Sequence, residues 1–232
     1  MLCAMLLSFF PLPGGNDAGN LAARMEARYR RATTLQATFL ERYSENGTIL
    51  RTEAGTAYFR RPGKMRWEYD RPEKDLFLVD GKTAWFYVPA DHTVTRAPAK
   101  QSEDLRTPLA LLAGRMKISR ICSRVDLAES EQPLREGDAV LHCDLRGQGK
   151  NTGTSASSGA AFGNDAADAV FFEVTRDSGE LARIIVRQAA GVAVEFRFEN
   201  WRFDPPVPES MFHFEPPAGV AIVNGELPDA KS

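Results

Sequence analysis

Residues suited to catalysis or metal binding are few and widely separated in this sequence. None of the three histidines, His92, His142 and His213, has a second histidine, cysteine or carboxylate at the sequence spacing that is typical of a metal site. Nucleophile-elbow, P-loop and dinucleotide-binding motifs are also absent, and Asp80-Gly81 fits a hairpin turn better than a metal ligand. We therefore expect neither an enzyme nor a bound metal or cofactor, although folding could bring two of the scattered carboxylates together.

Cysteine is the remaining residue type with chemistry of its own. Cys122 and Cys143 lie in ICSRVDL and AVLHCDL, two segments that alternate between apolar and polar residues as strands do. In an exported protein such a pair can form a disulfide between neighbouring strands, and the alternative is two small buried apolar side chains. Cys3 could carry a lipid, but too few residues precede it for a lipidation signal to be recognised.

The amino terminus begins with a short apolar run, MLCAMLLSFFPLP. The run is too short to span a bilayer as a helix, which takes roughly 20 apolar residues, and it has the length of the apolar region of a secretory signal. No basic region precedes it and no A-x-A cleavage site follows it. We interpret residues 1–16 as the remnant of an export signal, with a disordered tail as the alternative.

Composition and charge narrow the class of protein further. The chain has 232 residues, of which 43% are hydrophobic, and this is enough for one substantial core. Its 29 basic and 31 acidic residues are interspersed and leave a net charge of −2. Because neither a basic footprint nor a polybasic patch is present, we expect no binding to nucleic acid and no electrostatic attachment to a membrane surface.

Two helices are predicted from apolar periodicity and from capping residues. The first begins at Asn16 or Asp17 and runs to about position 32, with one apolar stripe. The second is the short segment LALLA between Thr107-Pro108 and Gly114, and it is apolar nearly all round. Both helices therefore need a surface to cover. The apolar positions are Leu21, Met25 and Tyr29 on the first helix and Leu109, Leu111 and Leu112 on the second.

Most of the remaining chain has the period of two that is typical of strands. Positions 35–96 form a meander with hairpin turns at Asn46-Gly47, Pro62-Gly63 and Asp80-Gly81. Further strands are predicted at 117–126, 139–146, 170–175, 181–188, 192–203 and 220–223. A total of about ten or eleven evenly spaced antiparallel strands indicates a barrel or a strongly curved sheet.

One segment interrupts the strand pattern. Residues 147–168, GQGKNTGTSASSGAAFGNDAAD, are rich in glycine, serine and alanine and have no periodicity. Such a segment buries too little surface to offset its ordering entropy, so we expect a flexible inserted loop. A domain linker is the rival interpretation, but the strand pattern resumes directly afterwards. We therefore expect residues 17–232 to form one domain.

The order of several motifs resembles the LolA family of outer-membrane lipoprotein carriers. The matching segments are LQATFLERYSENG, GTAYFRRPGKMRWEYDRP, LVDGKTAWFYVPADHTVTRAP, TPLALLAG and, near the carboxyl end, FHFEPPAGVAIV. The most specific part is R-P-x-x-x-x-W followed by D-G-K-x-x-W-x-Y. The resemblance implies a mainly β fold, an incomplete antiparallel β-barrel with a helical lid, and an apolar cavity for lipoprotein acyl chains.

The resemblance also implies a function and its partners. It predicts a monomeric periplasmic chaperone that takes lipoproteins from an inner-membrane ABC transporter and passes them to an outer-membrane acceptor. The alternatives are a lipid-sensing envelope-stress regulator, an outer-membrane acceptor of the same fold, and an enzyme on a lipid substrate. A regulator of this kind generally carries a second domain after the carrier-like one, whereas the chain ends shortly after its last predicted strand. An acceptor needs a lipidated cysteine near its amino terminus.

The resemblance assigns roles to particular side chains. Arg61, directly before Pro62, matches the family arginine that binds lid carbonyls and holds the lid shut. The six apolar positions of the two helices become lid contacts, with ordinary helix-on-sheet packing as the alternative. The expected cavity wall is Phe39, Tyr58, Met65, Trp67, Trp85 and Tyr87, with Phe171, Phe196, Phe198 and Phe212 as later contributors. Met65 stands where the family often has an aromatic residue, so core packing is the alternative there.

Overall fold

The computed structural model of the chain describes residues 17–99, 109, 111–114, 117–146, 167–188 and 191–225. The predicted export signal, Cys3 and nearly all of the inserted loop predicted over 147–168 lie outside the described residues. Among the residues that are described, no helix is long and apolar enough to cross a membrane.

In the described part of the chain, twelve strands form one sheet that does not close on itself. From one edge to the other the order is β12-β6-β5-β4-β3-β2-β1-β11-β10-β9-β8-β7. The strands are β1 (Thr34–Glu45), β2 (Thr48–Arg60), β3 (Lys64–Arg71), β4 (Leu76–Val79), β5 (Thr83–Val88), β6 (Thr93–Pro98), β7 (Cys122–Leu127), β8 (Asp138–Leu145), β9 (Ala167–Thr175), β10 (Leu181–Gln188), β11 (Val192–Phe203) and β12 (Ala221–Asn224). The prediction of a mainly β fold with an incomplete barrel is confirmed.

The sheet consists of two meanders joined at one seam. Strands β1 to β6 follow one another on one side, and β7 to β11 follow one another on the other. The chain closes the seam by pairing β11 with β1, in a register that sets Phe39 opposite Phe198 and Glu41 opposite Phe196. Antiparallel pairing holds everywhere in the described sheet except at one edge, where β12 runs parallel to β6, so the predicted all-antiparallel order is wrong at that strand.

The region predicted as a strand over 117–126 is divided between two elements. A one-turn helix, α2 (Ile118–Ile121), comes first, and β7 starts at Cys122. Ile118 and Ile121 are both buried. Their spacing of three puts both on one face of a helix, whereas in a strand it would put them on opposite faces. Strand β9 also begins at Ala167, slightly earlier than predicted.

Helix α1 (Asp17–Arg30) lies against the concave inner face of the sheet. Its buried residues belong to the same apolar cluster as the inner residues of the strands. These residues are Ala18, Leu21, Ala22, Met25 and Tyr29. The second predicted helix lies partly outside the described residues. Those that are described form tight turns, with the Leu112 N–H donating to the Leu109 carbonyl at 3.0 Å and the Gly114 N–H to the Leu111 carbonyl at 3.1 Å.

The outer face of β8, β9 and β10 has a small core of its own. Val140, Phe171 and Ile185 form a separate buried cluster there, so Phe171 is not part of the inner wall to which it was assigned. The segment 128–137 covers this cluster. Beneath the segment lies a buried ion pair between β10 and β9, in which Arg183 Nε is 2.6 Å from Glu173 Oε2. Glu173 Oε1 accepts the Leu134 N–H at 2.6 Å, which ties the covering segment to the sheet.

A disulfide joins Cys122 and Cys143, whose Cα atoms are 5.3 Å apart. It connects the edge strand β7 to its neighbour β8, and both cysteines belong to the inner core. Because β7 is the last strand of the described sheet and pairs on one side only, the bond attaches covalently the strand that is otherwise the least supported of its half.

Candidate functional site

The inner face of the sheet is lined by a continuous group of aromatic rings. Alternation along the strands directs most of these residues inward, and a register shift in β11 between Glu199 and Arg202 brings Trp201 to the same face. Their ring centroids lie 4.6 to 6.5 Å apart. The group comprises Phe39, Phe59, Trp67, Phe196, Phe198 and Trp201. Most of the contacts are edge-to-face or tilted, which are the favourable arrangements for aromatic pairs.

Small residues opposite the rings make room for them. Gly55 lies opposite both Phe39 and Tyr69, and those two rings meet edge to face across it at 5.1 Å. A Cβ atom on Gly55 would lie 1.9 Å from the Glu68 carbonyl oxygen. Any side chain at Gly55 would therefore force β2 and β3 apart at the middle of the aromatic group.

Helix α1 covers this aromatic surface. Met25 and Tyr29 are fully buried, and the Tyr29 ring lies 5.0 Å from Trp201 and 5.5 Å from Phe203. The Tyr29 hydroxyl oxygen accepts the Leu181 N–H at 2.9 Å. Burial raises the pKa of the Tyr29 phenol far above its ordinary value, so this hydroxyl stays protonated.

Polar contacts fasten α1 to one half of the sheet, at the turn between β9 and β10. Arg28 forms an ion pair with Glu180 at 2.9 Å. Arg24 donates to the Arg176 carbonyl at 2.6 Å, and the Arg176 guanidinium lies 3.1 Å from the Asp17 carboxylate. These contacts all join α1 to the residues next to β9 and β10.

The segment 109–114 completes the cover over the inner face. Leu109, Leu111 and Leu112 are buried in the same cluster as α1 and the inner wall. All six apolar positions that were predicted for the two helices are therefore buried in the cluster that contains the aromatic rings. Their role as a movable lid remains a prediction.

Arg61 contacts this segment from the turn between β2 and β3. Its Nη2 donates to the Leu111 carbonyl at 3.4 Å, and next to it the Gly63 N–H donates to the Ala113 carbonyl at 2.8 Å. Gly114 has φ of +72°, and a Cβ there would lie 2.5 Å from Arg61 Nη1. Burial, and then the neighbouring Arg30 guanidinium, lower the pKa of Arg61, while the Glu26 carboxylate opposes this shift.

The structure divides the residues expected in the cavity wall between the two faces. Phe39, Met65 and Trp67 point inward and are buried in the main core, as are Phe196 and Phe198 from the other half. Phe212 is buried outside that main cluster.

Tyr58, Trp85 and Tyr87 were assigned to the wall, and the structure places them on the outer face. The inner positions of the same strands are taken by Phe59 and Ala84, which are fully buried in the core. Trp85 and Tyr87 pack instead against the ring of Phe214, at 5.6 and 5.8 Å. Alternation showed that these two side chains share a face but left open which face is the inner one.

The inner surface also carries polar groups that the sequence analysis did not single out. Glu41 is only 4% exposed and accepts a hydrogen bond from the Tyr69 hydroxyl at 2.8 Å. The Trp67 indole N–H has no hydrogen-bond acceptor among the described residues. Glu41 could have been found from the sequence, because it takes an inward position in the alternation of Leu35, Ala37 and Phe39.

The described part of the chain offers little chemistry outside this inner surface. No group of three or more histidine, cysteine, aspartate or glutamate side chains there could hold a metal ion. The Asp80 carboxylate accepts the N–H groups of Lys82 and Thr83, both at 2.8 Å, as a turn residue does. These hydrogen bonds lower the pKa of Asp80 against the opposing effect of its burial.

Comparison with known proteins bears directly on this architecture. The family described as "Outer membrane lipoprotein carrier protein LolA" matches residues 30–134. A relative from Chromobacterium violaceum, named outer-membrane lipoprotein carrier protein, is 31% identical over 205 residues, which cover 88% of this chain and 87% of the relative. The chain belongs to the LolA family. A relative of the same name from Nitrosomonas europaea is 27% identical over 231 residues, 96% of this chain and 98% of its own.

A solved structure supports the fold independently of close sequence similarity. An uncharacterized conserved protein from Thermus thermophilus superposes with a TM-score of 0.52 at 16% identity, over 90% of this chain and 99% of its own. At that level of identity the likeness concerns the fold alone. The LolA membership, which the motifs around Arg61 and Trp67 had predicted, is confirmed by the family match and the curated relatives.

Proposed function

We infer that this LolA-family chain is a periplasmic carrier that holds the acyl chains of lipoproteins against the inner face of its sheet. One observation carries the inference: an aromatic surface large enough to be a binding site is covered by α1 and the segment 109–114. A covering whose contact with the sheet is apolar can be displaced by an apolar ligand that replaces that contact. The described residues of the inner surface form no catalytic constellation, so we propose carriage and not chemistry.

The energetics of acyl binding favour a covered site in the unloaded protein. Burying an acyl CH₂ group is worth about 0.8 kcal/mol, so one long chain could gain on the order of 10 kcal/mol. A carrier that kept all of this energy would never release its cargo. When α1 and the segment 109–114 already cover the surface, only the difference between two burials drives binding.

Arg61 is proposed as the latch that sets this difference. Its hydrogen bond to Leu111, together with the one from Gly63 to Ala113, holds the segment 109–114 in the closed position. Both contacts would be lost when the cargo displaces the segment. Each typical hydrogen bond contributes about 0.5–1.5 kcal/mol, which is enough to bias the lid without preventing it from opening.

The polar groups of the inner wall fit the polar part of a lipid anchor. Leaving a buried N–H without an acceptor costs about 1–3 kcal/mol. The Trp67 indole N–H is buried and has no acceptor among the described residues. An ester or amide carbonyl of the cargo would supply the missing acceptor. We therefore assign Trp67 to the region where the acyl chains join the lipoprotein.

The remaining parts of the proposal follow from the family. The chain would be exported, would fold over 17–232 as one domain, and would act as a monomer in the periplasm. It would receive lipoproteins from an inner-membrane ABC transporter and deliver them to an outer-membrane acceptor. The single sheet through all described strands supports the one-domain proposal.

The decisive experiment isolates the protein from the periplasm of an expressing cell and identifies what it has bound. We expect mass spectrometry to find acylated lipoproteins in the wild type. We expect Arg61→Leu to accumulate more cargo and to release less of it to outer membranes. Arg71→Leu is the matched control, because Arg71 also precedes a proline but is exposed and lies away from the lid. A wild-type protein that reproducibly carries no acylated species would contradict the carrier function.

A further inference from the structure

A cleft beside Arg61 has a charge distribution that the carrier function does not require. Its volume is about 240 Å³, and it lies where α1, the β2–β3 turn, the segment 109–114 and the start of α2 meet. Among its described lining residues, four are cationic and only Glu26 is acidic. The cationic residues are Arg30, Arg61, Lys117 and Arg120.

The carboxylate among these lining residues is already engaged. Glu26 Oε1 lies 3.2 Å from Arg30 Nη1, and Glu26 Oε2 accepts the Ile118 N–H at 3.1 Å. Glu26 is therefore shared between one guanidinium and a backbone donor, and among the described residues it forms no ion pair with Arg61, Lys117 or Arg120.

Arg61 has donor capacity to spare. Its Nη2 donates to the Leu111 carbonyl, while its buried Nε has no partner among the described residues. Arg30 also lies close enough to Arg61 for the two guanidinium groups to repel each other. An anion between the two guanidinium groups would remove this repulsion.

We propose that this cleft binds a phosphate group, either free phosphate or the phosphate of a lipid headgroup. Planar guanidinium groups bind phosphate oxygens through paired hydrogen bonds, and an ammonium group adds a mobile point charge. A water molecule takes about 30 Å³ in the liquid, so the cleft has room for a tetrahedral anion and part of its hydration shell.

The position of the site gives the anion a role in lid closure. The lining residues come from four segments, and the cleft exists only while those segments are together. A ligand that binds only the assembled form stabilises that form. Phosphate would therefore hold the lid shut. This link to the lid rests on the proposed carrier function, whereas the binding of phosphate does not.

Thermal unfolding of the full chain in inorganic phosphate tests the binding. Sodium chloride at the same ionic strength and pH serves as the reference, because it reproduces the screening without the tetrahedral anion. We expect a saturable rise in the unfolding midpoint for the wild type. We expect Lys117→Ala/Arg120→Ala to need at least about ten times more phosphate for half of that rise. The control is Arg71→Ala/Lys74→Ala, which removes two exposed cations away from the cleft.

Vesicles distinguish the two sources of the phosphate group. Binding to phosphatidylglycerol vesicles and not to phosphatidylcholine vesicles, with loss of binding in free phosphate and in the cleft variant, identifies an anionic headgroup. A phosphate response without vesicle binding identifies the free ion. An equal phosphate response in the wild type and in the cleft variant would overturn the proposal, as would a chloride response of the same size. Cargo loading, measured separately, would be unaffected by that failure.

Discussion

Replacing Gly114 with alanine tests the latch without removing any charge. Gly114 has φ of +72°, and its Cα lies directly against the Arg61 side chain. An added Cβ would be 2.5 Å from Nη1 and 2.9 Å from Cγ of Arg61. The guanidinium would have to move, and its hydrogen bond to the Leu111 carbonyl would be lost.

The expected cost has two parts. Placing a residue with a Cβ in the left-handed region costs about 1–2 kcal/mol. Losing the Arg61 hydrogen bond adds about 0.5–1.5 kcal/mol. Together they disfavour the closed lid by about 2–3 kcal/mol, which shifts the equilibrium between closed and open forms by on the order of a hundredfold.

The assay is equilibrium binding of a fluorescent diacylated lipopeptide, together with its rate of release. Because the open form binds the acyl chains, Gly114→Ala should bind the lipopeptide more tightly and release it more slowly than the wild type. Gly137→Ala is the control for backbone strain, since Gly137 has φ of +84° but no described atom within 4 Å of its added Cβ. It should lower stability without changing lipopeptide affinity.

A double variant shows whether the effect passes through Arg61. If it does, Gly114→Ala should change affinity little when Arg61 is already leucine, because the two substitutions remove the same contact. The latch reasoning is refuted if Gly114→Ala and Gly137→Ala have the same affinity, or if the effects of Gly114→Ala and Arg61→Leu simply add.

Three further predictions concern the parts that support the site. Tyr29→Phe should leave the Leu181 N–H without its acceptor and lower the free energy of unfolding by about 1–3 kcal/mol, measured in urea; an unchanged value would show that another acceptor replaces the hydroxyl. Glu173→Gln should cost about 3 kcal/mol because it leaves the buried Arg183 guanidinium without its closest carboxylate, whereas methionine at both positions should cost less. Reducing the disulfide should lower the free energy of unfolding by about 3 kcal/mol. Reductant should therefore lower the urea midpoint of the wild type and leave that of a variant with both cysteines replaced by serine unchanged.

The strands and turns could be predicted because their signals are local. The hairpin turns at Asn46-Gly47 and Asp80-Gly81 fix strand ends through backbone conformations that neighbouring residues alone determine. Strands β4, β5, β10 and β11 accordingly lie where they were predicted. The parallel pairing of β12 depends on where a distant strand leaves an open edge, and no local pattern contains that information.

The face of each strand was harder to predict than the strand itself. The family resemblance assigned Trp85 and Tyr87 to the cavity wall. The chain instead directs Ala84 inward and gives both rings an outer partner, Phe214. Only the pairing of β5 with its neighbours decides the matter, and that pairing is a long-range property.

The contact between Arg61 and the segment 109–114 was predictable in one residue but not in its surroundings. Arg61 was identified by its place before a proline in a family motif. The role of Gly114 as the surface on which Arg61 lies, and the gathering of Lys117 and Arg120 beside it, depend on the path of the chain between β6 and β7. Sequence spacing does not specify that path.

The two parts of the cover are attached on opposite sides of the seam between β1 and β11. Helix α1 is fastened to the β9–β10 turn on one half of the sheet, and the segment 109–114 is fastened to the β2–β3 turn on the other. Each half of the sheet thus carries its own part of the cover, and the two halves meet where β1 pairs with β11. A small bend of the sheet along β1 and β11 would move α1 away from the segment 109–114 and would leave every pair of neighbouring strands hydrogen-bonded.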